Sequence, residues 1–253
     1  MLETRDLTIR FGGHVAVDRV SCRFAPGTLT AIVGPNGAGK TTYFNLISGQ
    51  LRASAGRVLL DGADITALPA PLRTQRGLGR AFQLTQLFPR LTVLENVRLA
   101  VQARRAAGRL HLASIWSDHR DWTVRAEELL ALVRLTDKRD ALAAALPHGD
   151  QRKLEVAILM ALEPRVYMFD EPTAGISVDE VPVILELIRA LKGERDKTIL
   201  LVEHKMDVVR ELADRIVVLH NGRLMADGAP AEVIASPVVQ QAYLGRAPLE
   251  EAA

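Results

Sequence analysis

Residues 34–41 read Gly34-Pro35-Asn36-Gly37-Ala38-Gly39-Lys40-Thr41, with the apolar stretch 29–33 before them and the helix-patterned stretch 41–47 after them. A strand that runs through such a loop directly into a helix narrows the possible folds more than any other feature of the chain. Its glycines permit backbone conformations that turn successive N–H groups onto an anion, and the helix adds the positive end of its dipole. The spacing is that of a polyphosphate-binding loop. In it Lys40 reaches the β and γ phosphates, and the Thr41 hydroxyl is a hard oxygen ligand suited to Mg²⁺. Thr42 supplies a further hydrogen bond to phosphate.

Around the loop, short apolar segments alternate with longer helical ones. Segments 2–11 and 15–24 read as strands about a Gly12-Gly13 turn, and 57–60 as a hairpin arm. Segments 166–169 and 198–202 read as buried strands, and 215–219 as a strand before a turn at Asn221-Gly222. Helical spacing covers 92–105, 122–135, 178–191 and 205–212, and 106–121 has no clean period. Parallel strands need crossovers. The expected fold is therefore α/β: a sheet core flanked by helices, with an antiparallel β part at the N-terminus and an inserted helical subdomain. One domain spans 1–253, divided into a core of 1–91 and 160–228, a helical subdomain of 92–159, and a tail of 229–253.

Composition removes several classes. Lys and Arg total 32 against 30 Asp and Glu, a net charge of +2, which gives no electrostatic case for a nucleic-acid partner. The single cysteine, Cys22, excludes a disulfide framework or a cysteine metal site. The start Met1-Leu2-Glu3-Thr4-Arg5-Asp6 lacks the apolar centre of a signal peptide. Apolar runs such as 198–202 fall far short of the roughly 20 residues that span a bilayer. The expectation is a cytosolic protein.

Two strand ends carry chemistry. Segment 166–169 runs into Asp170-Glu171-Pro172, and in an open sheet the carboxyl ends of strands face the ligand crevice. Asp170 is placed to hold Mg²⁺, and Glu171, one residue on, to orient and deprotonate an attacking water. Segment 198–202 runs into Glu203-His204. Taken alone, His204 reads either as a contact to the γ phosphate or the attacking water, or as a structural or surface histidine. Gln83, after Gly79-Arg80-Ala81-Phe82, is by itself an anonymous polar side chain.

The order of these features resembles the nucleotide-binding subunit of ATP-binding cassette transporters: phosphate loop, Gln83, helical lobe, Leu146-Pro147-His148-Gly149-Asp150, acidic strand end, His204. Asp170-Glu171-Pro172-Thr173-Ala174-Gly175 and the closing Ala242-Tyr243-Leu244-Gly245 look closest to the ATP-binding subunits of branched-chain amino acid importers. The resemblance runs over 2–245. It implies ATP and Mg²⁺ as ligands, and two ATPase subunits stacked head to tail. Each ATP would lie between one phosphate loop and the partner's signature segment. It further implies that Gln83 senses Mg²⁺ and nucleotide and relays their state to a permease seated near 84–97. Residues 174–177 would lie at the loop exchanged between subunits. Phe11 matches the aromatic that stacks on adenine, its alternative being a plain core aromatic. A periplasmic solute-binding protein, and a peripheral place on the cytoplasmic face of the inner membrane, follow from the same resemblance. An exporter subunit of the lipopolysaccharide type shares most of this pattern. DNA-repair ATPases with a split signature need coiled-coil arms or added domains that a chain of this length lacks, and small-molecule kinases would not explain Glu171, the signature-like segment and His204 in this order.

The signature departs from its family's Leu-Ser-Gly-Gly-Gln at Pro147, His148 and Asp150. Proline is tolerated in a first helical turn, but the serine hydroxyl aimed at the γ phosphate is gone. Asp150 is expected to bring a negative charge near phosphate unless it turns to solvent. Gly149 keeps a backbone N–H and the helix dipole available. These departures favour a heterodimer, with the site completed by this signature the weaker one.

Overall fold

A run that is apolar at consecutive positions is stable as a strand only when both of its faces are covered. Segments 29–33, 166–169 and 198–202 are such runs, and each lies in the interior of a sheet. The structure, a computed structural model, describes residues 1–81, 87–105, 120–177 and 179–244. β1 (Leu2–Phe11), β2 (His14–Phe24), β4 (Ala55–Leu60) and β5 (Ala63–Asp64) form an antiparallel sheet in the order β2-β1-β4-β5. β3 (Thr28–Val33), β6 (Leu78–Ala81), β7 (Val166–Asp170), β8 (Thr198–Val202), β9 (Arg215–His220) and β10 (Arg223–Gly228) form a second sheet in the order β10-β9-β3-β8-β7-β6. All its pairings are parallel except β10 with β9.

The larger sheet separates the packing into two sides, with side chains alternating along each strand as the pleat requires. Val166, Met168, Leu200 and Val202 pack on one side with α1 (Lys40–Ser48) and the antiparallel sheet, through Tyr43, Phe44, Ile47, Leu7 and Val58. Tyr167, Phe169, Ile199 and Leu201 face the other side. There they meet α3 (Val93–Arg105), α4 (Arg120–Leu132), α5 (His148–Ala161) and α6 (Val181–Lys192). A smaller cluster under β3 and β9 is closed by α7 (Met206–Leu212), α8 (Pro230–Ala235) and α9 (Pro237–Leu244).

The sequence-based boundaries agree with these elements within a few residues. The expected helix 178–191 begins at Val181, where Pro182 occupies the first turn, a position proline favours. The expected helix 122–135 ends at Leu132, and Arg134 has a left-handed φ of 57° that no helix continues through. β6 was not anticipated, because Gly79 and Arg80 interrupt its apolar pattern. The edge strand β10 was not anticipated either, because its apolar residues Leu224, Met225 and Ala226 are consecutive and too few to show a strand period between Arg223 and Asp227.

One buried cation holds the helix of the phosphate loop. The last carbonyls of any helix have no intrahelical partner. Arg73, at the end of α2 (Ala70–Gln75) and 2% exposed, donates to the carbonyls of Leu46 and Ile47 in α1 at 2.7 and 2.6 Å. It also donates to Leu68 O at 2.9 Å and Thr66 O at 2.7 Å, and burial pushes its guanidinium down to about 10. R73A strands several buried acceptors and should lower stability by about 2–4 kcal/mol in a urea unfolding curve. R73K should recover little, because an ammonium cannot present the planar fork that reaches all four carbonyls.

Candidate active site

Parallel pairing puts the carboxyl ends of β3, β7 and β8 on one edge. Ile32 and Asp170 both pair with Val202, so the phosphate loop, Asp170-Glu171 and Glu203-His204 emerge side by side. The loop leaves β3 at Gly34, whose φ of 151° and closeness to the Leu219 carbonyl leave no room for a side chain. Gly39, at φ 95°, begins α1 with the Ala16 carbonyl 2.5 Å from where a Cβ would sit. The Asn221-Gly222 turn supports the loop from outside: Gly222 N donates to Ala38 O at 3.0 Å and Gly222 O accepts from Asp18 N at 2.8 Å.

A cavity of about 430 Å³ opens over this edge, lined by Phe11, His14, Ala16, Asn36 through Thr42, Glu171 and His204. Of the residues that sequence reasoning placed at a nucleotide site, Phe11, Asn36 through Thr42, Glu171 and His204 meet there. Phe11 is 50% exposed, which removes the core-aromatic reading and leaves a ring available at the cavity wall. Lys40 is buried, and its Nζ donates to Gly34 O at 2.7 Å and Pro35 O at 2.9 Å. Burial lowers its pKa, opposed by the nearby Glu171 and Asp170 carboxylates. The ammonium thus rests on carbonyls of its own loop, aimed where a phosphate would replace them.

Asp170 is fully buried. Its Oδ2 accepts from Arg80 Nη2 at 2.6 Å, while Oδ1 has no hydrogen-bond partner among the described residues. Arg80 also donates to Asn45 Oδ1 at 2.6 Å and Ser48 Oγ at 2.9 Å, linking β6 to α1. A buried, orphaned carboxylate oxygen beside a phosphate loop is what a hard cation held by one carboxylate, a hydroxyl and phosphate oxygens requires. Among the described residues no cluster of three His, Cys, Asp or Glu could hold a metal by itself. Thr41 and Asp170 therefore fit Mg²⁺ carried in with a polyphosphate.

Glu171 adopts a left-handed φ of 50°, fixed by its N–H to Val202 O at 2.9 Å. Its Oε1 lies 2.8 Å from His204 Nε2, so the two residues that sequence placed at separate strand ends touch. Arg152, buried in α5, donates to the carbonyls of Asp170 and Glu171 at 2.9 and 3.2 Å. Neither Arg80 nor Arg152 was singled out from sequence. The available signal was an arginine within the short strand β6, and it says only that a partner exists; Arg152, in the polar first half of α5, gave none. Gln83 lies outside the described residues.

Pro147, His148, Gly149 and Asp150 do not line this cavity. Pro147 precedes α5 with φ −57°, so its missing N–H costs no helical bond. Asp150 does not turn to solvent. Asp150 is 4% exposed and pairs with Lys138 and, at 3.0 Å, with Lys153, which reaches on to Glu180 at 2.7 Å. Burial opposes ionisation of Asp150, but hydrogen bonds from Lys138 and Lys153 hold its carboxyl below the usual range. Glu180 lies so close to Gly149 that a Cβ there would strike its carboxylate. His148 is exposed and lies against Gly175.

Residues 17–174 match the family described as ABC transporter, and 223–248 match the branched-chain amino acid ATP-binding cassette transporter family. The chain is 37% identical over 251 residues to the high-affinity branched-chain amino acid transport ATP-binding protein BraF of Pseudomonas aeruginosa, covering 98% of each chain. It is 33% identical over 245 residues to the lipopolysaccharide export system ATP-binding protein LptB of Acidithiobacillus ferridurans, covering 97% of each. The crystal structure of the ADP conformation of an ATP-binding cassette of an ABC transporter superposes with a TM-score of 0.80 at 29% identity, over 97% of this chain and 99% of that one.

K40A should weaken ATP binding by about 10–10²-fold, the loss of a hydrogen bond to a charged group, read by fluorescence titration with a nucleotide analogue. Unchanged affinity would mean that the nucleotide does not seat on this loop.

Proposed function

Because the chain belongs to the ATP-binding cassette transporter family and is an ATPase of that family, we propose that it powers import of a small solute, a branched-chain or other small amino acid, through separate membrane permeases. The Glu171–His204 contact at 2.8 Å, facing Lys40 across the cavity, carries the mechanistic part of this reading. Glu171 takes a proton from the water that attacks the γ phosphorus, and His204 orients Glu171 and the terminal phosphate. Lys40 leaves its loop carbonyls to neutralise the β and γ phosphates. Thr41 and Asp170 would hold Mg²⁺, which would draw charge off the phosphate oxygens. Gln83 reports the state of that site to the permease, and Phe11 stacks on the adenine.

Two ATPase subunits close on two nucleotides, each sandwiched between one loop and the other subunit's segment 147–150. In this chain that segment offers the N–H groups and dipole of α5, the Gly149 backbone and the His148 ring, but no serine hydroxyl. Since Asp150 is occupied by two lysines, its charge does not repel the phosphate, and the missing hydroxyl is what weakens this site. A second, different cassette subunit with a complete signature is the preferred partner, and a homodimer is the alternative. Two permeases and a periplasmic solute-binding protein complete the assembly, placing the chain on the cytoplasmic face of the inner membrane. No helix among the described residues is long and apolar enough to cross a membrane. The higher identity to BraF than to LptB supports import over the export reading.

E171Q should keep ATP affinity and lower turnover by about 10²–10⁴-fold, the share of a general base. Stopped-time phosphate release checks it, and unchanged turnover rejects Glu171 as the base. The purified chain alone should hydrolyse Mg-ATP slowly, and brisk cooperative hydrolysis would overturn the heterodimer. Membrane proteins that co-purify with the tagged chain should include two permeases and a second cassette ATPase.

A further inference from the structure

Glu203 follows β8 directly, where an apolar residue would continue the buried run, yet it is a carboxylate only 3% exposed. Burying an ion is unfavourable unless hydrogen bonds satisfy it. Glu203 has four: Oε1 accepts from Thr173 Oγ1 at 2.6 Å and Thr173 N at 3.4 Å, and Oε2 accepts from His204 N at 3.0 Å and Lys205 N at 3.3 Å. Each oxygen therefore serves a different loop. Oε1 holds the segment two residues after Glu171, and Oε2 holds the backbone of His204 itself.

Those two loops carry the two side chains whose contact the hydrolysis reading requires. Glu171 and His204 are 20% and 39% exposed as side chains, so packing does little to hold them together. Ala174 N donates to Glu171 O at 3.0 Å within Glu171's own loop, and the Glu171 N–H donates across to Val202 O, so the backbone ties Glu171 to the end of β8 but leaves the loop beyond, from Glu203 to Lys205, to be placed. The buried side chain that joins the Thr173 segment to the backbone of His204 and Lys205 is the Glu203 carboxylate.

We propose that Glu203 is a positioning residue for hydrolysis, a carboxylate strut that fixes the backbone of His204 against the Thr173 segment and so keeps the His204 ring on Glu171. It deepens the reading of Glu171 as general base and rests on it. Both Glu203 oxygens face donors only. A glutamine keeps one acceptor for the His204 and Lys205 amides and turns its NH₂ toward the Thr173 hydroxyl, which can rotate to accept. The strut is thus weakened by glutamine and abolished by alanine. The Thr173 end can be cut independently, because valine matches threonine in shape and lacks the hydroxyl, whereas serine keeps it.

The test uses the full chain with Mg-ATP, measuring turnover and, separately, ATP affinity by fluorescence titration. E203A and T173V should each lower kcat by about 10–10²-fold, as expected when a reacting group is misplaced by about 1 Å. ATP affinity should stay within about twofold, because the phosphate loop is untouched. E203Q and T173S should recover most of the loss, and E203A combined with T173V should be no slower than E203A alone, since both cut one link. A parallel loss of ATP affinity and turnover would overturn the strut, because it marks a general loosening of the site. T173V turning over at the unmodified rate would overturn it as well, and that variant stays informative even if E203A does not fold. E171Q assayed alongside separates the two readings. If E171Q collapses while E203A and T173V do not, the strut alone fails; if E171Q turns over normally, the base assignment fails first.

Discussion

Parallel pairing of β7 and β3 on either side of β8 is the constraint from which the rest follows. With Ile32 and Asp170 both opposite Val202, the ends of three strands lie level. A slip of one residue would move Tyr167, Phe169, Ile199 and Leu201 onto the face that now packs on α1 and the antiparallel sheet, so both cores oppose it. Register enforced by hydrophobic burial thereby becomes the geometry of a polar site. The strands are interior, and the groups that do chemistry sit where the apolar pattern stops.

Charge at this edge is managed by giving each ion a temporary or permanent partner. Lys40 rests on carbonyls that a phosphate can replace, and Arg80 takes one oxygen of Asp170 and leaves the other open. Arg152 binds the carbonyls beneath Asp170 and Glu171, so the helix that begins with the departed signature also supports the acidic strand end. Buried pairs of this kind contribute little net stability against apolar substitutes, and their value is in fixing one arrangement. In the signature segment the same logic explains Asp150. Its charge belongs to a chain of contacts through Lys153 to Glu180, joining the start of α5 to the segment before α6.

Much of the site was legible before any coordinates. Gly34 through Thr42 form a local motif whose meaning is contained in its own backbone, and Asp170, Glu171 and His204 are each marked by the apolar strand they end. The two readings of Phe11 could not be separated from sequence, since an aromatic at a strand end packs inward or outward according to what covers it. The partners of Asp150 were hidden for a related reason: Lys138 and Lys153 are 12 and 3 residues away, and only the turn before α5 brings the first of them near.

The chain's own residues determined the strand–loop–helix that grips a polyphosphate, the helix-flanked parallel sheet and the order of its acidic and histidine strand ends, because each depends on short-range spacing and on apolar periodicity. Tertiary structure alone decided that Glu171 touches His204, that Arg80 and Arg152 brace the acidic strand, that Asp150 turns inward, and that Glu203 bridges two loops. Those contacts join segments from 12 to 90 residues apart, and a side chain's hydrogen-bond partners are set by which groups the folded core brings within about 3 Å, a distance that no local pattern encodes.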